Sequence, residues 1–125
     1  MTVKFTEVED FLELIFSDEY TLDEVHWVLG KVSDAERKAN KNSFRRLVDL
    51  TQAVPSNMNF ETMFQIKEAR EAKVMNVKSK TAIIVNTDVQ FGTARMWQSM
   101  GPHGGALVEI FRDKDLAIEW LCTPI

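Results

Sequence analysis

Apolar and polar positions along this chain switch between a period of two and a period near 3.6. VKFTEV alternates at Val3, Phe5 and, less regularly, Val8, and FLELIF forms a denser apolar run from Phe11 to Phe16. With the acidic pair Glu9 and Asp10 in turn position between them, Thr2 to Phe16 reads as a hairpin. The period then lengthens. Thr21-Leu22-Asp23-Glu24 fits a capping box, in which hydroxyl and carboxylate satisfy each other's free backbone donors. Leu22, Val25, Leu29 and Val32 follow as a helical stripe, with His26, Trp27 and Val28 around it. The polar segment Ser33 to Asn42 is expected to extend that helix as a solvated end. SFRRLVDL, Ser43 to Leu50, is a third strand, followed by a loop rich in Asn, Ser and Pro. A second helix is expected from Asn59 or Phe60 to about Met75. Phe60, Met63, Phe64 and Ala72 would be its core contacts, and KEAREAK, Lys67 to Lys73, a solvated face with spaced opposite charges.

The clearest unit comes next, KTAIIVNTDVQFGTARMWQSM, Lys80 to Met100. TAIIV is short and nearly all apolar, as in a strand covered on both faces. Thr87-Asp88-Val89-Gln90 supplies a helix cap. On that helix Val89, Thr93, Met96, Trp97 and Met100 are expected to face the sheet, and Phe91, Arg95 and Gln98 to face outward. MGPHGG stops the helix, ALVEIF returns as a strand, Asp113 caps, and LAIEWL closes the pattern as a last helix. Such strand-helix alternation implies parallel strands joined by right-handed crossovers. The expected architecture is α/β: residues 1–125 as a single domain, a mixed four- to five-stranded sheet with an N-terminal hairpin, parallel β-α units, and helices packed on the sheet.

Composition changes this picture little. The 125 residues are 45% hydrophobic and 27% charged, ordinary values for a globular domain. A net charge of −4 argues against a grip on nucleic acid or on an anionic membrane, though Arg45, Arg46, Lys78 and Lys80 are the residues able to form a local basic patch. One cysteine, Cys122, allows no internal disulfide and suits packing better than thiol chemistry. No signal peptide pattern is visible, and no apolar run approaches the roughly 18 residues of a membrane span, so a cytoplasmic setting is expected.

Chemistry is harder to place. Two distant histidines and one cysteine make no zinc-type ligand set, and no nucleophile elbow is present. His103 sits in the turn Gly101-Pro102-His103-Gly104-Gly105, whose spacing does not match a phosphate-binding fingerprint. Catalytic, cofactor and metal residues are therefore all expected to be none. In open parallel sheets, ligands and partners meet the edge where strands end and helices begin. Here that edge collects Asp49, Thr51, Asn86, Thr87, Asp88, Arg112 and Asp113. Phe91 could serve there as an apolar anchor and Arg95 as a guanidinium fork for a partner's carboxylate or phosphate. The structural alternative is a helix-start contact for Phe91 and pairing of Arg95 with a neighbouring acid.

RLVDL at Arg46 to Leu50, the Lys80–Met100 unit and VEIFRDKDLAIEWL together resemble the SpoIIAA-like family, bacterial relatives of the STAS domains of sulfate transporters and anti-sigma factor antagonists. FGTARMWQ, Phe91 to Gln98, and IFRDKDLAIEWL, Ile110 to Leu121, carry most of the likeness, which extends from Thr21 to Leu121. The resemblance implies a four- or five-stranded mixed sheet backed by helices, similar also to the CRAL-TRIO lipid-transfer fold. In anti-sigma antagonists a serine at the helix start after the Asp-Leu strand is phosphorylated. The corresponding place here falls near Met58 and Asn59, and the Asp-Ser-Ser-Gly type of motif is absent. Ser56 and Thr62 are nearby hydroxyls that do not match it.

The leading expectation is a non-catalytic module of SpoIIAA-like type that binds a protein partner or a second copy of itself. Its surface would be formed by Phe91, Arg95, Gln98, Thr51, Thr87, Asp88 and Asp113. The alternative is a domain holding a small apolar ligand or lipid between helices and sheet, where Met58, Met63, Met75, Met96 and Met100 suit a deformable lining.

Overall fold

The computed structural model describes residues 3–8, 10–39, 43–54, 59–71, 78–101 and 106–125. The hairpin pairs β1 (Val3–Glu7) with β2 (Leu12–Asp18) antiparallel, Phe5 opposite Leu14. It is followed by α1 (Leu22–Ala39), β3 (Ser43–Ala53), α2 (Phe60–Glu71), β4 (Lys78–Ile84), α3 (Asp88–Ser99), β5 (Ala106–Phe111) and α4 (Lys114–Leu121). The five strands lie in sequence order, and β2 to β5 are parallel. A mixed α/β sheet with an N-terminal hairpin is thus what forms. β3 runs past Leu50 to Ala53 because Asp18 of β2 pairs with Ala53, and β4 starts at Lys78 because that residue pairs with Ser43.

Since every parallel crossover steps the same way along the sheet, right-handedness puts α1, α2 and α3 on one face. The helix-side cluster joins Leu14, Phe16, Val25, Val28, Val32, Leu50, Met63, Ile66, Ile83 and Ala94. α4 packs on the opposite face, where Leu47, Ala82, Ile84, Ala117 and Leu121 form a second cluster. Period-two alternation makes this possible: Phe44, Arg46, Val48 and Leu50 of β3 face one way, Arg45, Leu47 and Asp49 the other. Fully burying Leu47 and Leu121 contributes about 2 kcal/mol each.

Several expectations fail in instructive ways. α1 extends to Ala39 as expected, with Asp34, Arg37 and Lys38 exposed, but its end is not wholly solvated: Ser33 and Glu36 are each only 2% exposed and continue the inward stripe of Val25, Val28 and Val32. On α2 the inward stripe is Met63, Ile66 and Arg70, so Phe60 and Phe64 are exposed and stack on each other with centroids 6.3 Å apart. The charged run in that helix is accordingly not all solvated, because Arg70 turns inward. Ala72 and Met75 lie outside the described residues. On α3, Val89 is 65% exposed; the sheet-facing stripe is centred on Gln90, Thr93, Ala94 and Trp97, which places Val89 on its flank. Arg46 and Lys80 form no basic surface patch, since both are buried. Cys122 is exposed instead of packed.

Candidate functional site

At the edge where the parallel strands end, one side chain organises the backbone. Thr87 caps α3 in a reciprocal capping box, accepting from the Gln90 N–H at 3.1 Å, while the Gln90 Oε1 accepts from the N–H groups of Asn86 at 2.7 Å and Thr87 at 3.2 Å. The same Gln90 donates through Nε2 to the carbonyls of Thr51 at 3.2 Å and Ala53 at 3.0 Å. A buried glutamine thus fastens the end of β3 to the start of α3. Thr51 in turn donates its N–H (2.9 Å) and hydroxyl (2.6 Å) to Asp49 Oδ1. Arg112 spans the next gap, reaching the Asn86 carbonyl at 3.2 Å and Asp88 Oδ1 at 3.4 Å with its guanidinium 5.4 Å from the Phe91 ring centroid. Asp113 caps α4 through the N–H groups of Asp115 and Leu116, at 2.8 and 3.1 Å.

The rim expected from sequence therefore exists, and it brings Thr51, Thr87, Asp88, Phe91 and Asp113 together along one edge. Most of these side chains are occupied by the fold itself. Arg95 and Gln98 stand apart from the rim, one to two turns further along α3. Arg95 Nη1 donates to Gln98 Oε1 at 2.6 Å, and Gln98 Nε2 donates to the Val108 carbonyl at 2.7 Å. Gln98 is half-buried against β5 and does not point outward as expected. Thr62 gives its N–H to the Asn59 side chain, the N-cap of α2, at 2.9 Å. Ser56 and His103 fall outside the described residues.

Between the sheet and its three helices lies a cavity of about 150 Å³. Its walls are apolar over most of their area, with Leu14 and Phe16 of β2, Val28 and Val32 of α1, Ile66 of α2 and Ile83 of β4 among them. Of the methionines expected as a lining, Met63 alone is in the wall among the described ones; Met96 and Met100 pack within the helix-side core, and Met58 and Met75 lie outside the described residues. Tyr20 also lines the cavity, its ring edge-on to Phe16 at 4.8 Å, and burial pushes its hydroxyl pKa up to about 12.

Two arginines of the cavity wall, Arg46 and Arg70, converge on one buried carboxylate. Glu36 of α1 accepts from Arg46 Nη1, and it also accepts from Arg70 Nη2 at 3.1 Å. Arg46 further donates to Thr81 Oγ1 at 3.0 Å and Ser79 Oγ at 2.6 Å, and Arg70 to Ser33 Oγ at 2.9 Å. Burial lowers the Arg46 pKa from its ordinary value, Glu36 raises it, and Arg70 lowers it again.

No family model and no curated relative matches the chain. Among solved structures, an uncharacterized protein of the DUF3478 family from Shewanella loihica PV-4, described with a SpoIIAA-like fold, superposes with a TM-score of 0.65. The two are 18% identical, over 96% of this chain and 92% of that one. This chain has a SpoIIAA-like fold.

Within the SpoIIAA-like fold, sequence reasoning put the strand-end rim first and a pocket between helices and sheet second, but gave that pocket a methionine lining and missed its charged residues. Wall residues such as Val25, Val28, Val32 and Met63 were visible as helix-face positions, whereas Tyr20, Ile66 and Ala94 were not singled out, and a core position and a cavity wall have the same pattern. Glu36 and Arg70 were hidden because each sits in a charged run whose ordinary reading is a solvated face. One signal was available: Arg46 shares its face of β3 with Phe44, Val48 and Leu50, and a buried arginine demands a carboxylate. Among the described residues no helix is long and apolar enough to cross a membrane, and no group of three or more acidic, histidine or cysteine side chains is arranged to hold a metal.

Proposed function

We propose that this protein is a non-catalytic binding module whose cavity between the sheet and α1, α2 and α3 holds a small, largely apolar ligand. The observation that carries this reading is the cavity itself. An interior normally packs to near crystal density with few voids larger than a water molecule. A space of about 150 Å³ lined by Val28, Ile66 and Ile83 is large enough for a benzene-sized guest. Its apolar lining lacks contact partners on the pocket side, and a resident ligand supplies them.

Native mass spectrometry of freshly purified protein tests for a carried guest. The expected result is extra mass that survives gentle conditions and leaves on denaturation. In parallel, methyl NMR during titration with benzene is expected to shift Val28, Val32, Ile66 and Ile83 selectively. A clean apo mass together with unmoved methyl signals would sink the reading.

A second reading, association with a protein partner or another copy of the chain through the rim, is favoured by one observation. Val89, Phe91 and Leu116 are exposed on helices that begin there, and Val54 is exposed just past the end of β3. It expects Phe91→Ala to weaken association without changing the fold, and Arg95→Ala to do so if the surface continues along α3.

A further inference from the structure

The charges at the Arg46 end of the cavity do not balance. Arg46 and Arg70 bring two positive charges to the single negative charge of Glu36, and the other partners, Ser33, Ser79 and Thr81, are neutral hydroxyls. Among the described residues the cluster carries one surplus positive charge. A buried lysine or carboxyl group would relieve such a surplus by changing its protonation, but a guanidinium keeps its proton in proteins. The desolvation penalty therefore stays until a counter-anion arrives.

Donor capacity points the same way. Among the described residues Arg46 spends three of its five N–H groups, on Glu36, Ser79 and Thr81. Arg46, Arg70 and Thr81 all line the cavity, Lys67 adds a further cationic side chain to the wall, and most of the remainder is hydrocarbon. The space thus offers a cationic, donor-rich end and an apolar body, within a volume that suits a single ring.

We propose that the cavity takes a small organic monoanion: a compact apolar body bearing one carboxylate, the carboxylate against Arg46 and Arg70. This rests on the cavity being a ligand site and adds the chemistry of the head group. A carboxylate fits the planar guanidinium fork and supplies the one missing negative charge. A neutral guest fills the volume but leaves the charge surplus standing, and an inorganic anion meets the charge but forgoes the apolar wall.

Phenylacetate and phenylacetamide have nearly the same shape and differ by that charge, so their affinities isolate the head group. Titration calorimetry on the wild-type protein is expected to show phenylacetate binding at least tenfold more tightly than the amide. The ratio is expected to fall towards one in Arg70→Met, while benzene, followed by methyl NMR, still binds that variant. Arg46→Met is the second variant, used where its circular dichroism matches wild type. The wild-type ratio needs neither substitution. Equal affinity for acid and amide overturns the anion assignment and leaves the apolar site standing. Failure of phenylacetate, phenylacetamide and benzene all to bind overturns the site as well.

Discussion

Arg45 and Arg46 are neighbours in β3, and the pleat sends them to opposite faces of the sheet, where they meet opposite fates. On the α4 face, Arg45 Nε donates to the Leu121 carbonyl at 2.5 Å, and Lys80 Nζ donates to the carbonyls of Trp120 at 2.9 Å and Thr123 at 3.2 Å. The Lys80 ammonium also lies 4.6 Å from the Trp120 ring centroid. Both cations thus land on the end of a helix, where carbonyls lack intrahelical partners and the macrodipole is negative. On the other face Arg46 and Arg70 converge on one carboxylate beside an open cavity. Cations on the first face, Lys80 buried and Arg45 half-buried, lock a helix down and complete its backbone bonding. Those on the second leave charge and space over. One face is a closed joint, and the other is built like a container.

Removing Glu36 is the harshest way to probe that difference. Glu36→Gln leaves Arg46 and Arg70 buried with no carboxylate between them, and breaking a buried ion pair on one side typically costs about 3–5 kcal/mol. Urea denaturation is expected to show a loss of that size. Arg45→Met on the α4 face should cost about 1 kcal/mol or less, because Lys80 still donates to carbonyls of the same helix end. Similar losses for both substitutions would erase the distinction between the faces. If phenylacetate is added to Glu36→Gln, the anion is expected to recover part of the lost stability through binding linkage.

The contrast also explains what could be read in the sequence. β4 and α3 were legible because Thr81 to Val85 is a continuous apolar run and Thr87 to Gln90 a cap, both local signals. The hairpin and α4 were legible for the same reason, from alternation at Val3 and Phe5 and from Asp113 before LAIEWL. Ser33, Glu36 and Arg70 were not. Their burial is decided by one another and by Arg46, residues far apart in the chain, and locally each looks like a solvent-facing helix position. Phe60 and Phe64 erred in the opposite sense: an aromatic pair four residues apart promises a core stripe, yet the inward stripe of α2 ends on Arg70 and turns both rings outward. The rim residues Thr51, Thr87 and Asp113 were placed correctly along the chain, while the glutamine that binds two of them together was visible only as half of a capping box.

Tyr20 reports on the container face alone, since it is the single tyrosine in the chain and lines the cavity. Burial raises its pKa from 10.0 to about 12, so the unfolded chain releases this proton at lower pH than the folded one. The stabilisation is complete below pH 10 and is lost as the pH rises through about 12, which amounts to roughly 3 kcal/mol. Tyrosinate absorbance is expected to titrate well above the ordinary midpoint. Denaturation midpoints should fall over the same range, and Tyr20→Phe should remove that component of the fall. An ordinary titration near pH 10 would mean that water reaches this part of the cavity.

The mildest probe is the cap of α4. At eight residues this helix is too short to hold itself together in water, since isolated helices below about 12–15 residues are marginal. It persists through Ala117 and Leu121 packed on Leu47, Ala82 and Ile84, the carbonyl contacts from Arg45 and Lys80, and the Asp113 cap. Asp113→Ala removes the acceptor for the N–H groups of Asp115 and Leu116 and should cost about 1 kcal/mol. If the two faces are separable units, the loss is local. Hydrogen exchange should speed up in α4 and leave the amides of α1 and α3 at their wild-type rates. Uniform acceleration would mean that the joint and the container open together. In that case a guest entering on the far face would be felt by α4, which would couple the cavity to the rim that Asp113 shares with Arg112.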